Sequence, residues 1–459
     1  IPQGRTKKMT LPNPAGATGG TLSVNVSAGT ASEAQVLVGD SLLGTLKVTL
    51  SEYDKGNERS GNYVLTALAG KAVEVTIKTT SGGPIRLDYA SMAWDKVAPA
   101  PNLAATSFPV PEYVYRITNQ DHHADAAADM VMIIPTSQKL LAQAQRLADF
   151  HKKRDGLQVN IVPADELYNE FSSGTPDANA YRRYLKMLYD RAESEADMPR
   201  FLLLFGDCVW DNRMLTSDCK NLDADDYLLC FESENSFNEI YCYVDDGYYG
   251  LLDDGEGANP QRSDKLDLAV GRFPVTTAAE AEVMVDKTIG YVENANAGAW
   301  QNVLMFMGDD GNNNLHMRDV NDVAEDIAAR YPGYQIKKVM WDAYNAESSS
   351  TGYSYPEVTR LIKQQQAEGA LIMDYAGHGI EYQISHEAVL KLADFQQFTN
   401  KNLPLWITAS CDIMPFDGVT TNIGEVAVLN KKGGAVAFFG TTRTVYANYN
   451  KMINRAYLR

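Results

Sequence analysis

Between residues 20 and 95 apolar and polar positions alternate in short runs. These are TLSVNVSAG (21–29), AQVLVGDSLLGTLKVTL (34–50), GNYVLTAL (61–68), KAVEVTIKTTSG (71–82) and IRLDYASMAW (85–94), divided by Gly, Ser and Asn turns. A period of two in β-branched runs predicts strands with one buried face, and several at this spacing predict a small all-β sandwich over residues 1–97. The alternation stops at KVAPAPNLAATSFPVPEY (96–113), where Pro99, Pro101, Pro109 and Pro111 oppose helix and remove ladder donors. Residues 98–129 therefore read as a Pro-rich linker.

Beyond it the pattern changes to apolar strands alternating with amphipathic helices. MVMIIP (130–135) is a short buried strand, and SQKLLAQAQRLADFHKKRDG (137–156) is a helix stopped by Gly156. A strand over 157–163, a helix over 177–195 and the strand RFLLLFGD (200–207) follow. A second series starts near Trp300. NVLMFMGDD (302–310), QIKKVMW (335–341), ALIMDYAGHG (370–379), LPLWITASC (403–411) and GGAVAFFGTT (433–442) are strands. The segments 317–331, 355–369 and HEAVLKLADFQQF (386–398) are helices between them. Strand–helix–strand order predicts parallel sheets with helices on their faces, in two α/β subdomains over 130–296 and 297–459. LLLFGD and LMFMGD are alike, but six residues do not establish a repeat.

Composition narrows the function classes. With 459 residues, 45% of them hydrophobic and 22% charged, the chain is an ordinary globular protein too long for one core. A net charge of −18 argues against nucleic acid or an anionic membrane as partner, since both need a basic footprint. No apolar run is long enough to cross a bilayer. The opening IPQGRTKK lacks the apolar core of a secretory leader. The chain is thus expected to be a processed or excised piece of something longer, with no signal peptide in it. Cys208, Cys219, Cys230 and Cys242 lack metal-ligand spacing and read as buried thiols or as one or two disulfides. Cys411 stands apart from them.

Cys411 and His378 carry the candidate chemistry. Each ends an apolar strand, His378 between Gly377 and Gly379 and Cys411 ahead of a polar turn. Ligands of open parallel sheets bind where strands end and the chain turns outward. The two residues are 33 apart, room for one crossover helix, so neighbouring strands would bring both side chains to one sheet edge. A cysteine thiol is mostly protonated near pH 7 and needs an imidazole to take its proton, and the backbone N–H groups of Gly379 and Cys411 could then form an oxyanion hole. Alone, either residue reads more readily as a buried thiol or a turn histidine; the joint placement favours a cysteine endopeptidase. Asp309 and Asp310 both end the strand 302–310; Asp310, followed by Gly311, is the expected partner of the imidazole, with an Asx turn or helix cap as the competing reading. His122 and His123 read as solvated linker residues and His151 as polar helix surface. Asp245, Asp246, Asp253 and Asp254 are dense enough to hold structural calcium, although their spacing fits no EF-hand loop and a solvated hairpin is the readier account. No cofactor is required.

Several segments carry a resemblance to a known family. They are YRITNQDHHAD (115–125), 168–192, FLLLFGD (201–207), DDGYYGLLDDGEG (245–257), LAVGRFPV (268–275), MGDDGNNNLHM (307–317), DYAGHG (374–379), ITASCD (407–412) and 424–444. From about Glu112 onward the chain resembles the gingipain-type cysteine peptidases, and within them the sortase-like peptidases of the type IX secretion system. The resemblance implies a caspase-like α/β sandwich of two subdomains behind a β-domain, with His378 and Cys411 catalytic and Asp310 supporting the histidine. It also implies removal of C-terminal secretion domains from cargo proteins at the outer-membrane exterior. The acyl group would pass to an amine of lipopolysaccharide or to water, with outer-membrane secretion components as further partners. A general surface protease and a non-catalytic scaffold are the alternatives. The acidic residue of the arginine-specific members has no secure counterpart, Met317 falling near it and Asp319 close by. The family's catalytic domain also supplies a strand beyond Arg459, so the second subdomain is expected to be incomplete at its C-terminal end.

Overall fold

The computed structural model describes residues 1–113, 119–258, 260, 263–350 and 352–458. Residues 115–118 of the first resembling segment, and Arg459, lie outside the described residues. The chain forms two compact units, residues 1–118 with 234–242 and residues 119–233 with 243–459.

In the first unit β1 (Thr6–Leu11), β6 (Val73–Gly82), β3 (Ser32–Val38) and β4 (Ser41–Val48) form one antiparallel sheet, in that order. β5 (Asn57–Leu65), β2 (Gly20–Ala28) and β7 (Ile85–Trp94) form the other. Alternate residues Leu22, Val24, Val26, Ala34, Val36, Val75 and Ile77 point inward and are buried together, as the period of two requires. The predicted run 34–50 is two strands hinged at Gly39, whose φ of 55° favours glycine. β1 was not predicted, because its Lys7 and Lys8 mask the alternation. Residues 234–242 join this unit through Lys55 N–H to Phe237 C=O (2.7 Å) and Asn238 to Asp54 (2.9 Å), links between segments too far apart in sequence for local pattern to show.

The second unit holds both α/β series. Its first sheet is parallel, in the order β11 (Ala269–Phe273), β10 (Phe201–Phe205), β8 (Met130–Ile134), β9 (Val159–Pro163). Helix α1 (Leu141–Asp155), closed by Gly156 at φ 72°, and α4 (Ala278–Val292) cover one face. Helices α2 (Ala164–Phe171) and α3 (Asn179–Arg191) cover the other.

After β12 (Val303–Gly308) come α5 (Gly311–Arg330), β13 (Gln335–Met340), the hairpin β14 (Glu347–Ser349) and β15 (Gly352–Ser354), and α6 (Pro356–Glu368). β16 (Ile372–Ala376) leads into a three-stranded patch of β17 (Gly379–Ile380), β18 (Gln383–Ile384) and β19 (Leu390–Lys391). Then follow α7 (Leu392–Gln397), β20 (Leu405–Ala409), α8 (Ile423–Leu429), β21 (Ala437–Phe439) and α9 (Ala447–Tyr457). The second sheet is parallel, ordered β13-β12-β16-β20-β21. The helix expected over 386–398 is shorter, because left-handed Ser385 (φ 63°) and Ala388 (φ 51°) break its first turn. Val428 of α8 enters the core of the first sheet, and the Lys287 ammonium on α4 donates to the carbonyls of Val428 (2.6 Å), Ala435 (3.2 Å) and Ala427 (3.4 Å). These bonds tie the two series into one body.

Asp374, in the middle of β16, is fully buried, and both its oxygens accept from Asn454 of α9 at 3.0 Å. Burial pushes its carboxyl up to about 7. The fold therefore favours the protonated acid, and stability falls as pH rises from about 4, the unfolded value, towards 7. Asp374→Asn is expected to raise stability at pH 8 by about 2–4 kcal/mol, with the gain vanishing near pH 4, in urea unfolding at the two pH values.

Candidate functional site

In the second sheet the strand order turns at β12, with β13 on one side and β16, β20 and β21 on the other. A crevice outside the carboxyl ends is expected at such a switch point. Gly308 of β12 pairs with Ala376 of β16, and Ala376 with Ala409 of β20. The ladder runs one residue further, through Asp309 N–H to Ala376 C=O (3.3 Å) and Gly377 N–H to Ala409 C=O (3.2 Å). Asp310, His378 and Cys411 each lie two residues beyond this level, so the structure brings all three predicted residues to one edge of the sheet.

His378 is held by close packing. A Cβ on Gly311 would lie 2.6 Å from its Cδ2 and 2.8 Å from its Nε2, so only glycine lets α5 approach the ring. The Cδ2–Nε2 edge thus lies over Gly311, and Nδ1 is turned away from it. A Cβ on Gly377 would meet the Tyr375 hydroxyl at 2.1 Å, and one on Gly379 the Ser410 Oγ at 2.3 Å. Both glycines of the GHG turn are therefore required by close approach. His386 stacks on the His378 ring (4.1 Å between centroids, 11° between planes), and His316 meets it edge-on at 5.0 Å. Burial lowers the His378 pKa, the His386 and His316 imidazoles lower it further, and Asp309 opposes them.

Cys411 is half-buried, and its thiol donates to the Val445 carbonyl at 3.5 Å. Burial raises its pKa, Asp412 adds to this and the Val445 contact opposes it. The loop after it is anchored by Asp412 N–H to Arg443 C=O (3.2 Å), Met414 N–H to Thr441 C=O (3.0 Å) and the Arg443–Asp417 pair (2.5 and 2.8 Å). Ser385 N–H donates to the His378 carbonyl at 2.8 Å, which makes residues 378 and 385 a hydrogen-bonded pair. Gly379 opposite Ile384 is then the next, non-hydrogen-bonded pair, and its N–H points out of the hairpin.

The carboxylate pair departs from expectation. Asp310 accepts the Tyr355 hydroxyl at 2.6 Å, and among the described residues no hydrogen bond reaches the His378 ring. Asp309, the other aspartate at this strand end, is the carboxylate that reaches the histidine's backbone. It accepts the His378 backbone N–H (2.7 Å) and the Tyr375 hydroxyl (3.1 Å), and its other oxygen makes the Asx turn with Gly311 N–H (3.2 Å). The Asp309 carboxylate shapes the GHG turn through the backbone. Its signal was its place directly after the strand, one residue nearer the sheet than Asp310.

Other candidates are spent on structure. Asp246 pairs with Arg272 (2.7 and 2.8 Å), Asp254 with Lys186 (2.9 Å) and Asp253 with the Tyr189 hydroxyl (2.9 Å). Asp245 caps the short 3-10 turn Asp246–Gly250, which stands where a hairpin was expected. Among the described residues no three His, Cys, Asp or Glu side chains converge on a metal position. All five cysteines are free thiols. His122 is not a solvated side chain: it bridges Asp125 (2.9 Å) and Glu166 (2.7 Å), while His123 pairs with Glu170 (2.7 Å). Met317 is buried in the core and Asp319 accepts from Lys451 at 2.8 Å, which leaves no free acidic group at that place for a basic side chain. No helix among the described residues is long and apolar enough to cross a membrane.

The fold is similar to the dimeric latent PorU of Porphyromonas gingivalis, 26% identical with a TM-score of 0.51 over 65% of this chain and 36% of that one. The chain thus spans about a third of PorU's length. It is similar in fold to the Arg-specific cysteine proteinase gingipain R (RgpB) of the same organism, 18% identical with a TM-score of 0.51 over 73% of this chain and 68% of that one. An uncharacterised protein of Archaeoglobus fulgidus is 22% identical, over 69% of this chain and 76% of its own. Residues 123–459 match peptidase family C25, and the chain belongs to that family of gingipain-type cysteine peptidases.

Proposed function

We propose that Cys411 is the nucleophile and His378 the acid–base of an endopeptidase that passes through a thioester acyl-enzyme. The observation that carries this is the in-register exit of both residues from neighbouring parallel strands. With the thiol pKa raised and the imidazole pKa lowered, the resting pair is neutral near pH 7. His378 then takes the thiol proton as sulfur attacks the carbonyl carbon, and returns it to the departing amine as the C–N bond breaks. The backbone N–H groups of Gly379 and Cys411 would receive the developing oxyanion. The thiol must first leave the Val445 carbonyl. Asp309 supports His378 by fixing the turn that carries it, a role assigned to Asp310 on sequence grounds.

The second half-reaction separates a hydrolase from a sortase, since water and an amine resolve the same thioester. The 26% identity to PorU favours a chain acting at the cell surface on C-terminal domains of secreted cargo, with lipopolysaccharide amine as acceptor. Mass spectrometry of a cargo domain incubated with the protein and a primary amine tests both halves. A thioester adduct on Cys411 and a cargo C-terminus joined to the amine are expected. Free carboxylates alone leave the general protease, and unaltered cargo with no adduct overturns the enzymatic reading in favour of a scaffold.

A further inference from the structure

The His378 ring has no hydrogen-bonded carboxylate, yet it is confined on three sides. His386, from the loop between β18 and β19, lies flat on it at 4.1 Å and is itself exposed. His316, buried on α5, meets it edge-on, and the Asn312 amide approaches the far nitrogen of His316 at 3.1 Å. Gly311 closes the Cδ2–Nε2 edge. Asn312, Asn313 and Asn314 are all left-handed (φ 53°, 56° and 62°), and a run of three such non-glycine residues persists only where surrounding contacts over-determine it. Ser385, directly before His386, is left-handed too (φ 63°). Two uncommon backbone turns thus deliver two imidazoles to the same ring. Solvent exposure alone would leave His386 free to rotate, and a solvated histidine has no need of a strained turn.

We propose that His386 is a positioning residue for His378, stacking on its open face and, with His316, fixing the plane of the imidazole in place of a hydrogen-bonded carboxylate. The inference rests on His378 being the acid–base group. Stacking fixes the plane but leaves both ring nitrogens unbonded, so the ring can accept and return a proton without breaking a hydrogen bond. The charged and titratable groups acting on it are Asp309 from the end of β12, His386 from the loop before β19 and His316 from α5. The His386 imidazole lowers the His378 pKa, so loss of His386 moves the His378 titration midpoint upward.

The test uses His386→Ala and His386→Phe in the full chain. One readout is the His378 titration, followed by NMR with labelled histidine. The other is inactivation by a peptidyl acyloxymethyl ketone, which captures Cys411. His386→Ala is expected to lower the maximal inactivation rate about tenfold at little change in probe affinity, because a small misplacement of a catalytic group is costly. His386→Phe, which keeps the stack, is expected to restore the rate to within about threefold. The His378 midpoint should rise in both variants. A rate and a midpoint that both stay at the wild-type values in His386→Ala overturn the proposal. If His378→Ala is captured as fast as wild type, the acid–base reading fails, while the His378 midpoint still reports whether His386 acts on it.

Discussion

Replacing His378 by alanine is expected to lower the rate of Cys411 acylation by a peptide substrate about 10³-fold, and Cys411→Ala to remove it. The double variant should be no worse than Cys411→Ala, since groups acting as one unit do not add. The pH dependence distinguishes this site from one with a preformed thiolate–imidazolium pair. His378 must be neutral to take the proton, so activity rises with pH through its midpoint, which burial places below the ordinary imidazole value. Cys411 must carry a proton to supply the leaving amine, so activity falls above the thiol midpoint, which burial places above the ordinary thiol value. The expected bell is broad, and iodoacetamide should label Cys411 at a rate still climbing beyond pH 8. A labelling rate already level near pH 6 would indicate a standing ion pair and remove base-assisted attack. Burial explains why such a pair is not favoured, because it penalises the charged thiolate, and the Asp412 carboxylate adds to this.

The strand ends of the site were legible because parallel buried strands are continuous apolar runs with abrupt polar stops, and ALIMDYAGHG and LPLWITASC are both of that kind. Their adjacency was only a plausible guess, since strand order is a tertiary property; the Ala376–Ala409 pairing supplies it. The choice between Asp309 and Asp310 was not legible. Both are aspartates leaving the same strand, and a one-residue step sends one carboxylate to the GHG turn and the other to Tyr355, a partner 45 residues away. His386 was invisible for a related reason: HEAVLKLADFQQF has helical periodicity, and only the left-handed Ser385 and Ala388 show that its start belongs to a turn against the site. The partners of Asp245, Asp246, Asp253 and Asp254 were not legible either, since density alone permits a cation site or a solvated hairpin; in the fold they meet a backbone cap, Arg272, the Tyr189 hydroxyl and Lys186.

The largest stability loss is expected at one of those pairs. Arg272 of β11 is 6% exposed and Asp246 13%. The guanidinium donates to both Asp246 oxygens, to the Gly206 carbonyl (2.9 Å) and to the Leu229 carbonyl (3.4 Å), with the Phe416 ring 5.4 Å away. Removing the cation alone leaves a buried carboxylate without its partner and the Gly206 carbonyl without this donor, while the Leu229 carbonyl keeps the Tyr249 hydroxyl (3.2 Å). Arg272→Met is therefore expected to cost about 3–5 kcal/mol, and the double variant with Asp246→Leu to recover part of it, since no buried charge is then left without its partner. A urea-unfolding double-mutant cycle measures the coupling; equal losses in the single and double variants would deny it. Function should follow stability here for a structural reason. Phe416 belongs to the loop that leaves Cys411, its carbonyl accepts the Cys208 thiol (3.7 Å), and its neighbour Asp417 accepts Trp210 N–H (2.8 Å). The ends of the first sheet thus hold the loop behind the nucleophile. Arg272→Met should slow Cys411 capture even at denaturant-free concentrations where the chain remains folded, and the double variant should restore it only in so far as a hydrophobic contact with Phe416 replaces the guanidinium.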